Sequence, residues 1–329
     1  MKIYSFLLKR LAQLLALGFL VTSATFALAC LIPGDFFTAF QANPGVRPEL
    51  LAELRRQYGL TEPMHLQYLH WLSRSLRLDL GFSLNYMRPV ATVVAEALAT
   101  TAWLGAPALL LGLIGGILLG SVHALSPRGT LATALDLLSA VLLSLPSLLL
   151  GIGAMLLAAA TGWFPVGGMA SAQIERPEPL QWLLDRLHHL ALPVSCLSLP
   201  ILATVERIQY SAARSAAGAP YLRSARARGL GKTRIFVHYV VRPSLNPILS
   251  VLGPLFGAAL SGSLVLENMF AWPGLGQATY NALFSRDIFL LLGCVASGSL
   301  LLVLGNVIAD LLLLWLDPRT RHAFPRAAS

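Results

Sequence analysis

Charged residues are scarce in this sequence. Only 12% of its 329 residues are Asp, Glu, Lys or Arg, whereas 56% are hydrophobic, and the mean hydropathy is +0.69. Soluble domains average about 25% charged and roughly 45–50% apolar residues. The shortage of charge and the long hydrophobic runs argue against disordered and soluble globular proteins. The first question is therefore how often the chain crosses a bilayer.

Cysteine is also rare, and motifs of catalysis are absent. Cys30, Cys196 and Cys294 lie far apart, without a Cys-x-x-Cys pair, so we expect neither a metal site nor a required disulfide. His188-His189 is the only histidine pair, and adjacent residues do not share a helix face. The sequence has no Gly-x-x-x-x-Gly-Lys-Ser/Thr loop, Gly-x-Ser-x-Gly elbow or His-Glu-x-x-His pair. We expect a non-enzyme that binds no cofactor itself.

Six stretches have the length and apolar character that a crossing requires. The first has no cleavage pattern of small residues after it, so we interpret it as an uncleaved helix instead of a signal peptide. Prolines recur in these stretches, which favours ordinary helix irregularity, with a kinked, moving bundle as the alternative. The stretches are residues 11–32, 97–125, 131–160, 187–205, 245–266 and 288–316, and the prolines are Pro107, Pro146, Pro193, Pro200 and Pro254.

The distribution of charge predicts the orientation. If six spans place both termini in the cytoplasm, the inner segments hold 15 of the 24 basic residues, with Glu206 and Asp317 as their only acids. The outer segments then hold 9 basic and 11 acidic residues. This asymmetry fits the positive-inside rule. It explains the basic pI as a feature of topology, so nucleic-acid binding is not expected.

The segment after the first span carries two helical patterns. Apolar residues recur at helical spacing over residues 48–58, and a second amphipathic stretch covers residues 65–78. Asp79-Leu80-Gly81 is expected to end the second helix. This helix could lie on the membrane surface, hold a partner protein or pack on the bundle.

A basic loop over residues 207–246 lies on the predicted inner side. Its Ala- and Arg-rich run predicts a helix that Gly229 ends, followed by a second short helix that packs through Ile235, Phe236, Tyr239 and Val240. Such a helix could contact anionic lipid or dock into a cleft of a cytoplasmic partner. The composition alone leaves both uses open.

This loop resembles the EAA loop of permease subunits of binding-protein-dependent ABC importers, in the branch that transports peptides. That branch commonly has a tyrosine followed by Arg-Thr-Ala-Arg-Ala-Lys-Gly. Arg223 stands where the general family has glutamate, as in the peptide branch, and Pro243 follows Arg242 where that branch often has asparagine. The matching residues are Tyr221, Arg223, Ser224, Ala225, Arg226, Ala227, Arg228 and Gly229.

Other blocks extend the resemblance over nearly the whole chain, in the family's order. The most specific is the stretch from Glu267 to Gly276, which is similar to a Glu-x-x-Phe-x-x-Pro-Gly-Leu-Gly signature. The other blocks are Leu31-Ile32-Pro33-Gly34-Asp35, Tyr58-Gly59-Leu60, Asp79-Leu80-Gly81, Arg286-Asp287, Asn306, Asp310 and Asp317-Pro318-Arg319. The chain thus resembles the permease (transmembrane) subunit of a dipeptide/oligopeptide-type importer.

The resemblance implies an all-α integral membrane protein with six transmembrane helices and the type I importer permease fold. Its expected parts are residues 1–32 (inner N-terminus and first span), 33–93 (outer helical segment), 94–317 (five-helix transmembrane domain) and 318–329 (inner tail). It also implies a bacterial inner-membrane location. The implied partners are a second permease, two cytoplasmic ATPases that hold ATP and Mg, an extracytoplasmic binding protein and membrane lipid.

The resemblance also assigns candidate site residues. Residues of the predicted loop helix would couple the spans to an ATPase. The turn after the fifth span is either a structural corner or a gate or binding-protein contact, and Asp310 is either functional or paired at the inner surface. The coupling residues are Tyr221, Arg223, Ala225, Arg226 and Gly229, and the turn residues are Glu267, Phe270, Pro273, Gly274 and Gly276.

Two other classes compete with this interpretation. A secondary transporter or channel would carry inverted repeats and paired intramembrane charges, which the sequence does not show. A membrane-embedded enzyme would need a nucleophile and a base deep in the spans. The substrate is open among dipeptides, longer peptides, glutathione, nickel chelates and other small solutes, with a peptide as the first expectation.

Overall fold

The computed structural model describes residues 2–42, 47–171 and 178–316, and most of these residues are helical. The predicted tail (residues 318–329) and the Asp317-Pro318-Arg319 motif lie outside the described ranges. The helices are α1 (Lys2–Leu31), α2 (Pro48–Gln57), α3 (Met64–Ser75), α4 (Val90–Leu125), α5 (Thr130–Ser144), α6 (Ser147–Thr161), α7 (Pro179–Ala217), α8 (Tyr221–Ala227), α9 (Lys232–Ile235), α10 (Arg242–Ser244), α11 (Asn246–Met269), α12 (Leu275–Ser285) and α13 (Ile288–Leu316).

Four further elements in the described ranges are short. A 3₁₀-helix covers Phe36–Ala42, and a π-helix covers Phe236–Val241 between α9 and α10. Strands β1 (Phe82–Ser83) and β2 (Arg88–Pro89) pair antiparallel, with Phe82 opposite Pro89. They form a small hairpin between α3 and α4.

Five helices in the described ranges are long and apolar enough to cross a membrane. A sixth crossing is present if α5 and α6 together form one span. The first, second, fifth and sixth predicted spans correspond to α1, α4, α11 and α13. The fourth lies within α7, which continues through Pro193 and Pro200 and is 39 residues long.

The third predicted span is not one continuous helix. The axes of α5 and α6 differ by 104°, and the break falls at Leu145 and Pro146. Leu145 has an extended conformation (φ −91°, ψ 119°), as expected for a residue before proline, and Pro146 has no N–H to continue the helix. The predicted span over residues 131–160 therefore consists of two helices with a sharp bend at Pro146, one of the prolines expected to kink a span.

The chain divides into two compact units. One consists of Met1–Thr101 and Pro273–Val303, and the other of Ala102–Trp272 and Leu304–Ser329. The long helices α4 and α13 each contribute to both. Each unit is described by itself.

In the first unit, α3 packs on α1. The Tyr68 hydroxyl lies 3.0 Å from the Thr22 hydroxyl and 2.8 Å from that of Ser23. Trp71 is buried, and its indole N–H donates to the Leu80 carbonyl at 3.1 Å. One face of the predicted amphipathic helix is therefore used in packing on the chain itself, although Leu69 on α3 remains exposed.

The second predicted outer-segment helix ends earlier than expected. Leu78 adopts a positive φ of 63° and follows the last turn of α3, whereas Gly81 (φ 91°) lies at a later turn. There, the Gly81 N–H donates to the Asp79 carboxylate, and the Gly81 carbonyl accepts from Val90 at the start of α4. The glycine thus shapes the entry to the hairpin and does not end the helix.

In the second unit, α7 is the central helix, and α4, α5, α6 and α11 pack around it. Gly112, Gly116 and Gly120 of α4 form a ridge without side chains that faces α7. A Cβ on Gly116 would lie 2.7 Å from the Leu202 carbonyl, and one on Gly120 would lie 2.6 Å from the Glu206 carbonyl. The two backbones approach as closely as small residues at membrane helix interfaces permit.

Candidate functional site

The EAA-like loop (residues 207–246) contains the short helix α8, and a glycine ends it. Gly229 adopts a φ of +73°. Its N–H donates to the Arg226 carbonyl at 2.9 Å, and the Leu230 N–H donates to the Ala225 carbonyl at 3.4 Å. This pair of bonds is a Schellman motif, which satisfies carbonyls at a helix end. The predicted glycine stop is therefore confirmed.

Helix α8 has one buried and one exposed face. Leu222 and Ala225 are 3% and 0% exposed, whereas Tyr221, Arg223 and Arg226 are exposed. Ala225 therefore holds the helix against its own chain, and its side chain is not available to a partner. The small core below α8 also contains Ala124, Ala213, Ile235 and Val240, with Phe236 and Tyr239 partly buried beside them.

The exposed surface of this loop is basic. No acidic residue occurs between Glu206 and Glu267 in the sequence. A surface of this kind attracts carboxylates or phosphates, and arginine in particular binds them through two parallel hydrogen bonds. The exposed basic residues are Arg214, Arg223, Arg226, Arg228, Lys232, Arg234 and Arg242.

The second short helix of the loop is irregular where Pro243 enters it. The Arg242 N–H bonds to the Val237 carbonyl, five residues earlier, which is the π-helical pattern. Helix α10 resumes with Pro243 in its first turn. The Tyr221 hydroxyl of α8 donates to the Tyr239 carbonyl in the π-helix at 2.9 Å. Pro243, which stands where the peptide branch often has asparagine, therefore lies in the segment whose π-helix is hydrogen-bonded to α8.

A buried acidic residue lies on α7 about four turns before α8. Glu206 is 1% exposed. One carboxylate oxygen lies 2.7 Å from Nδ1 of His123 on α4, and the other accepts from the Ser139 hydroxyl of α5, also at 2.7 Å. The His123 ring stacks on Tyr210 with the ring centroids 3.9 Å apart. A buried carboxylate is tolerated only when such partners replace water.

The neighbouring residues of α7 extend these polar contacts. Arg207 pairs with Asp136 of α5 at 2.5 Å, and Asp136 is half-exposed. The Gln209 side-chain amide donates to the hydroxyls of Ser121 on α4 (3.0 Å) and Ser244 on α10 (2.8 Å). One turn of α7 is thus connected to α4, α5 and the segment that follows α8.

This polar turn has no local signal in the sequence. Glu206 directly follows the predicted fourth span, and Asp136 lies within the predicted third span. The partners of Glu206 lie 67 and 83 residues away, so no local pattern reveals them. The glycine ridge of α4 did have a visible signal, because its three glycines recur every fourth residue.

The stretch from Glu267 to Gly276 is largely buried. In the second unit, Glu267, Phe270 and Trp272 are at most 1% exposed, and the Phe270 carbonyl accepts from the Gly168 N–H at 2.7 Å. Contact of another protein with Glu267 or Phe270 would require this corner to open. The observed packing favours the structural corner, and the gate and binding-protein roles stay predictions.

In the first unit, the same stretch turns into α12. Pro273 is exposed, whereas Gly274 and Gly276 are buried. The Pro273 carbonyl accepts from the Thr100 hydroxyl at 2.5 Å, and the N–H of Leu275 donates to the Thr101 hydroxyl at 2.8 Å. These bonds fix the turn, and Pro273 alone of the predicted turn residues is available to a partner at the surface.

Two further predictions concern ionisable and metal-binding residues. Asp310 lies half-buried within α13, and its function stays a prediction. In the described part of the chain, no group of three or more His, Cys, Asp or Glu residues could hold a metal ion. His188 and His189 do not share a ligand site, since His188 bonds to the Trp163 carbonyl and His189 to that of Asp185.

The spans, the glycine-packed α4 and α7, and the basic loop on which α8 sits define a polytopic membrane protein of the permease type. Comparison with protein families agrees. The chain belongs to the family of binding-protein-dependent transport system inner membrane components, whose model matches residues 112–322. The N-terminal model of the same family matches residues 3–104.

Curated relatives align over almost the full chain. The oligopeptide transport system permease protein AppB of Bacillus subtilis (strain 168) is 30% identical over 92% of this chain and 94% of its own length. OppB of Haemophilus influenzae, of the same description, is 30% identical over 96% and 99%. A putative peptide transport system permease protein of Brucella abortus (strain 2308) is 32% identical over 96% and 98%.

Proposed function

We propose that this chain is a permease subunit of an ATP-driven importer and forms half of a translocation path for dipeptides, oligopeptides or a similar small solute. The observation that carries the proposal is α8, a short helix held by Leu222 and Ala225 with an exposed face whose charged residues are all basic. Family membership and the names of the relatives support it.

In this proposal, α8 docks on a cytoplasmic ATPase subunit. Arg223 and Arg226 face the partner and pair with its carboxylates, whereas Ala225 and Gly229 fix the helix in the loop. When the ATPases close on ATP, α8 moves with them, and the spans rock between inward- and outward-facing states. ATP and Mg bind at the partner subunits, and this chain has no catalytic role.

The remaining partners follow from the same family. A second, distinct permease would complete the path, two ATPases would lie beneath, and an extracytoplasmic binding protein would deliver the solute. Both termini lie in the cytoplasm of a bacterial cell, so α5 and α6 together make one crossing. The excess of basic residues in the inner segments supports this orientation.

One observation favours a different class. The buried Glu206–His123 pair is the kind of ionisable pair that proton-driven secondary transporters carry within their helices. Its position near α8, and the full-length match to permeases of ATP-driven systems, favour a structural role for the pair.

Copurification tests the proposal. The tagged chain is extracted from its native membranes in mild detergent, and bound proteins are identified by mass spectrometry. We expect two ATPase polypeptides and a second permease with the wild type. Arg226→Glu should reduce the recovered ATPases at least tenfold, because it places like charges at the docking site.

The control reverses the same charge elsewhere. Arg77 is exposed on the predicted outer side, so Arg77→Glu should leave ATPase recovery unchanged. Recovery of the chain without ATPases, in a detergent that preserves other importers, would contradict the proposal and favour a channel or secondary transporter. Equal losses with both variants would contradict the assignment to α8.

A further inference from the structure

The hydroxyl of Tyr221 is engaged within the chain. It donates to the main-chain carbonyl of Tyr239 at 2.9 Å and so connects the first residue of α8 to the π-helix that leads towards α11. Eighteen residues separate the two tyrosines. A residue that served only to contact an ATPase would not need this bond.

Pro243 explains why the Tyr239 carbonyl needs a partner. In an α-helix, this carbonyl would accept from the N–H of residue 243, and proline has none. The preceding bond, from Arg242 to Val237, already has π-helical spacing and bypasses the carbonyl of His238. A main-chain acceptor to which the helix supplies no donor is satisfied by a side chain or by water. Tyr239 is partly buried, and Tyr221 supplies the donor.

We propose that Tyr221 is a positioning residue for coupling, which ties α8 to the helical segment preceding α11 through the carbonyl that Pro243 leaves open. The inference rests on the coupling role of α8 proposed above. Leu222 and Ala225 hold the body of α8, and Gly229 fixes its last turn. The Tyr221 bond fixes the first turn, so that displacement of α8 is passed to α11.

The bond adjusts coupling and does not build the fold. Tyr221 is 43% exposed, so its hydroxyl competes with water. A single hydrogen bond of this kind changes an open–closed equilibrium by about two- to tenfold. Tyr221→Phe should therefore leave the protein folded and the ATPases bound. The positions of α8 and α11 should become less tightly correlated.

The test measures the distance between α8 and α11. Spin labels are placed at the exposed positions Ser224 and Ser250, in a variant whose native cysteines are replaced by alanine, and the complete complex is used with and without ATP and Mg. The wild-type pair should give one narrow distance distribution in both states. In Tyr221→Phe, ATP should broaden the distribution, because the equilibrium shifts about two- to tenfold towards molecules in which α8 is displaced from α11.

Two further variants isolate the bond. Tyr239→Phe removes a neighbouring phenol hydroxyl but keeps the accepting carbonyl, so it should behave as the wild type. Pro243→Ala gives the Tyr239 carbonyl a helical N–H, so Tyr221→Phe should have no added effect in that background. This double-mutant cycle distinguishes the bond from a general loss of ring packing.

The outcomes distinguish this inference from the proposed function. If the labelled wild type contains no ATPases, the coupling proposal fails, and the distribution in the isolated chain still decides whether the bond holds the two helices. An unchanged distribution in Tyr221→Phe, or an equal broadening with and without Pro243, would overturn the inference.

Discussion

At the residue scale, glycine and alanine in the EAA-like loop act through conformation and size. A Cβ at Gly229 would lie in open space, so glycine is needed there only for its φ of +73°. Ala225 is wholly buried, so a larger side chain there would lift α8 from its core. The sequence identified both residues, but only the structure showed that Ala225 faces inward.

Substitution of Gly229 tests the conformational requirement. We expect Gly229→Ala to cost about 1–2 kcal/mol of local stability, because an L-residue is strained at positive φ. Gly229→Asn should cost less, since asparagine tolerates this region. Limited trypsin digestion at Arg226 and Arg228 should accelerate roughly 5- to 30-fold in Gly229→Ala if cleavage follows local opening.

Gly231 is the matched control for that experiment. It lies two residues away, has an ordinary φ of −66° and also has open space around it. Gly231→Ala should leave the digestion rate unchanged within about twofold. Equal acceleration in both variants would show that the loop responds to any added methyl group, contrary to the helix-stop role of Gly229.

At the scale of the elements, α7 organises the second unit through two kinds of contact. The glycines of α4 let the backbones of α4 and α7 approach closely, and the turn from Glu206 to Tyr210 connects α7 to α4, α5 and α10 by buried polar bonds. Backbone proximity makes these bonds possible.

The glycine ridge gives a prediction for the α4–α7 pair. A Cβ on Gly116 would meet Leu202 and Val205 at 2.6–2.7 Å, so Gly116→Ala should destabilise the protein by about 1–3 kcal/mol through overpacking. The measurement is the midpoint of thermal unfolding in detergent, which should fall by several degrees.

Gly105 provides the control on the same helix. Nothing lies within 4 Å of its Cβ position, so Gly105→Ala should leave the midpoint unchanged or raise it, because alanine favours helix by about 1 kcal/mol. If the two variants changed the midpoint equally, the close approach of α4 and α7 would not contribute to stability.

At the scale of the whole molecule, the number of crossings depends on the bent pair α5 and α6. Five other helices among the described residues are long and apolar enough to span, and the 104° break is compatible with a broken span or a re-entrant loop. The proposed topology requires a broken span, with residues 126 and 170 on opposite sides of the membrane. Both positions are exposed.

Cysteine labelling decides between the two arrangements. In the cysteine-free variant, Ser126→Cys should react with a membrane-impermeant maleimide only from the cytoplasmic side, and Ala170→Cys only from outside. Ser215→Cys and Ser73→Cys serve as inner and outer references. If residues 126 and 170 react from the same side, the pair is re-entrant, and the two termini lie on opposite sides.

Much of this protein follows from the sequence because the causes are local or compositional. Runs of apolar residues predicted the membrane helices, and glycine's freedom at positive φ predicted the end of α8. The ordered motifs predicted the permease family, which the comparisons confirm. These features require no knowledge of which distant residues meet.

The tertiary structure decided the features that depend on distant partners. Glu206 lies in a buried site because His123 and Ser139 replace water around its carboxylate, and Tyr221 bonds to the carbonyl of Tyr239, eighteen residues away. Whether a polar side chain is exposed to water or buried with hydrogen-bond partners depends on these long-range contacts. Composition and helical periodicity contain no information about them.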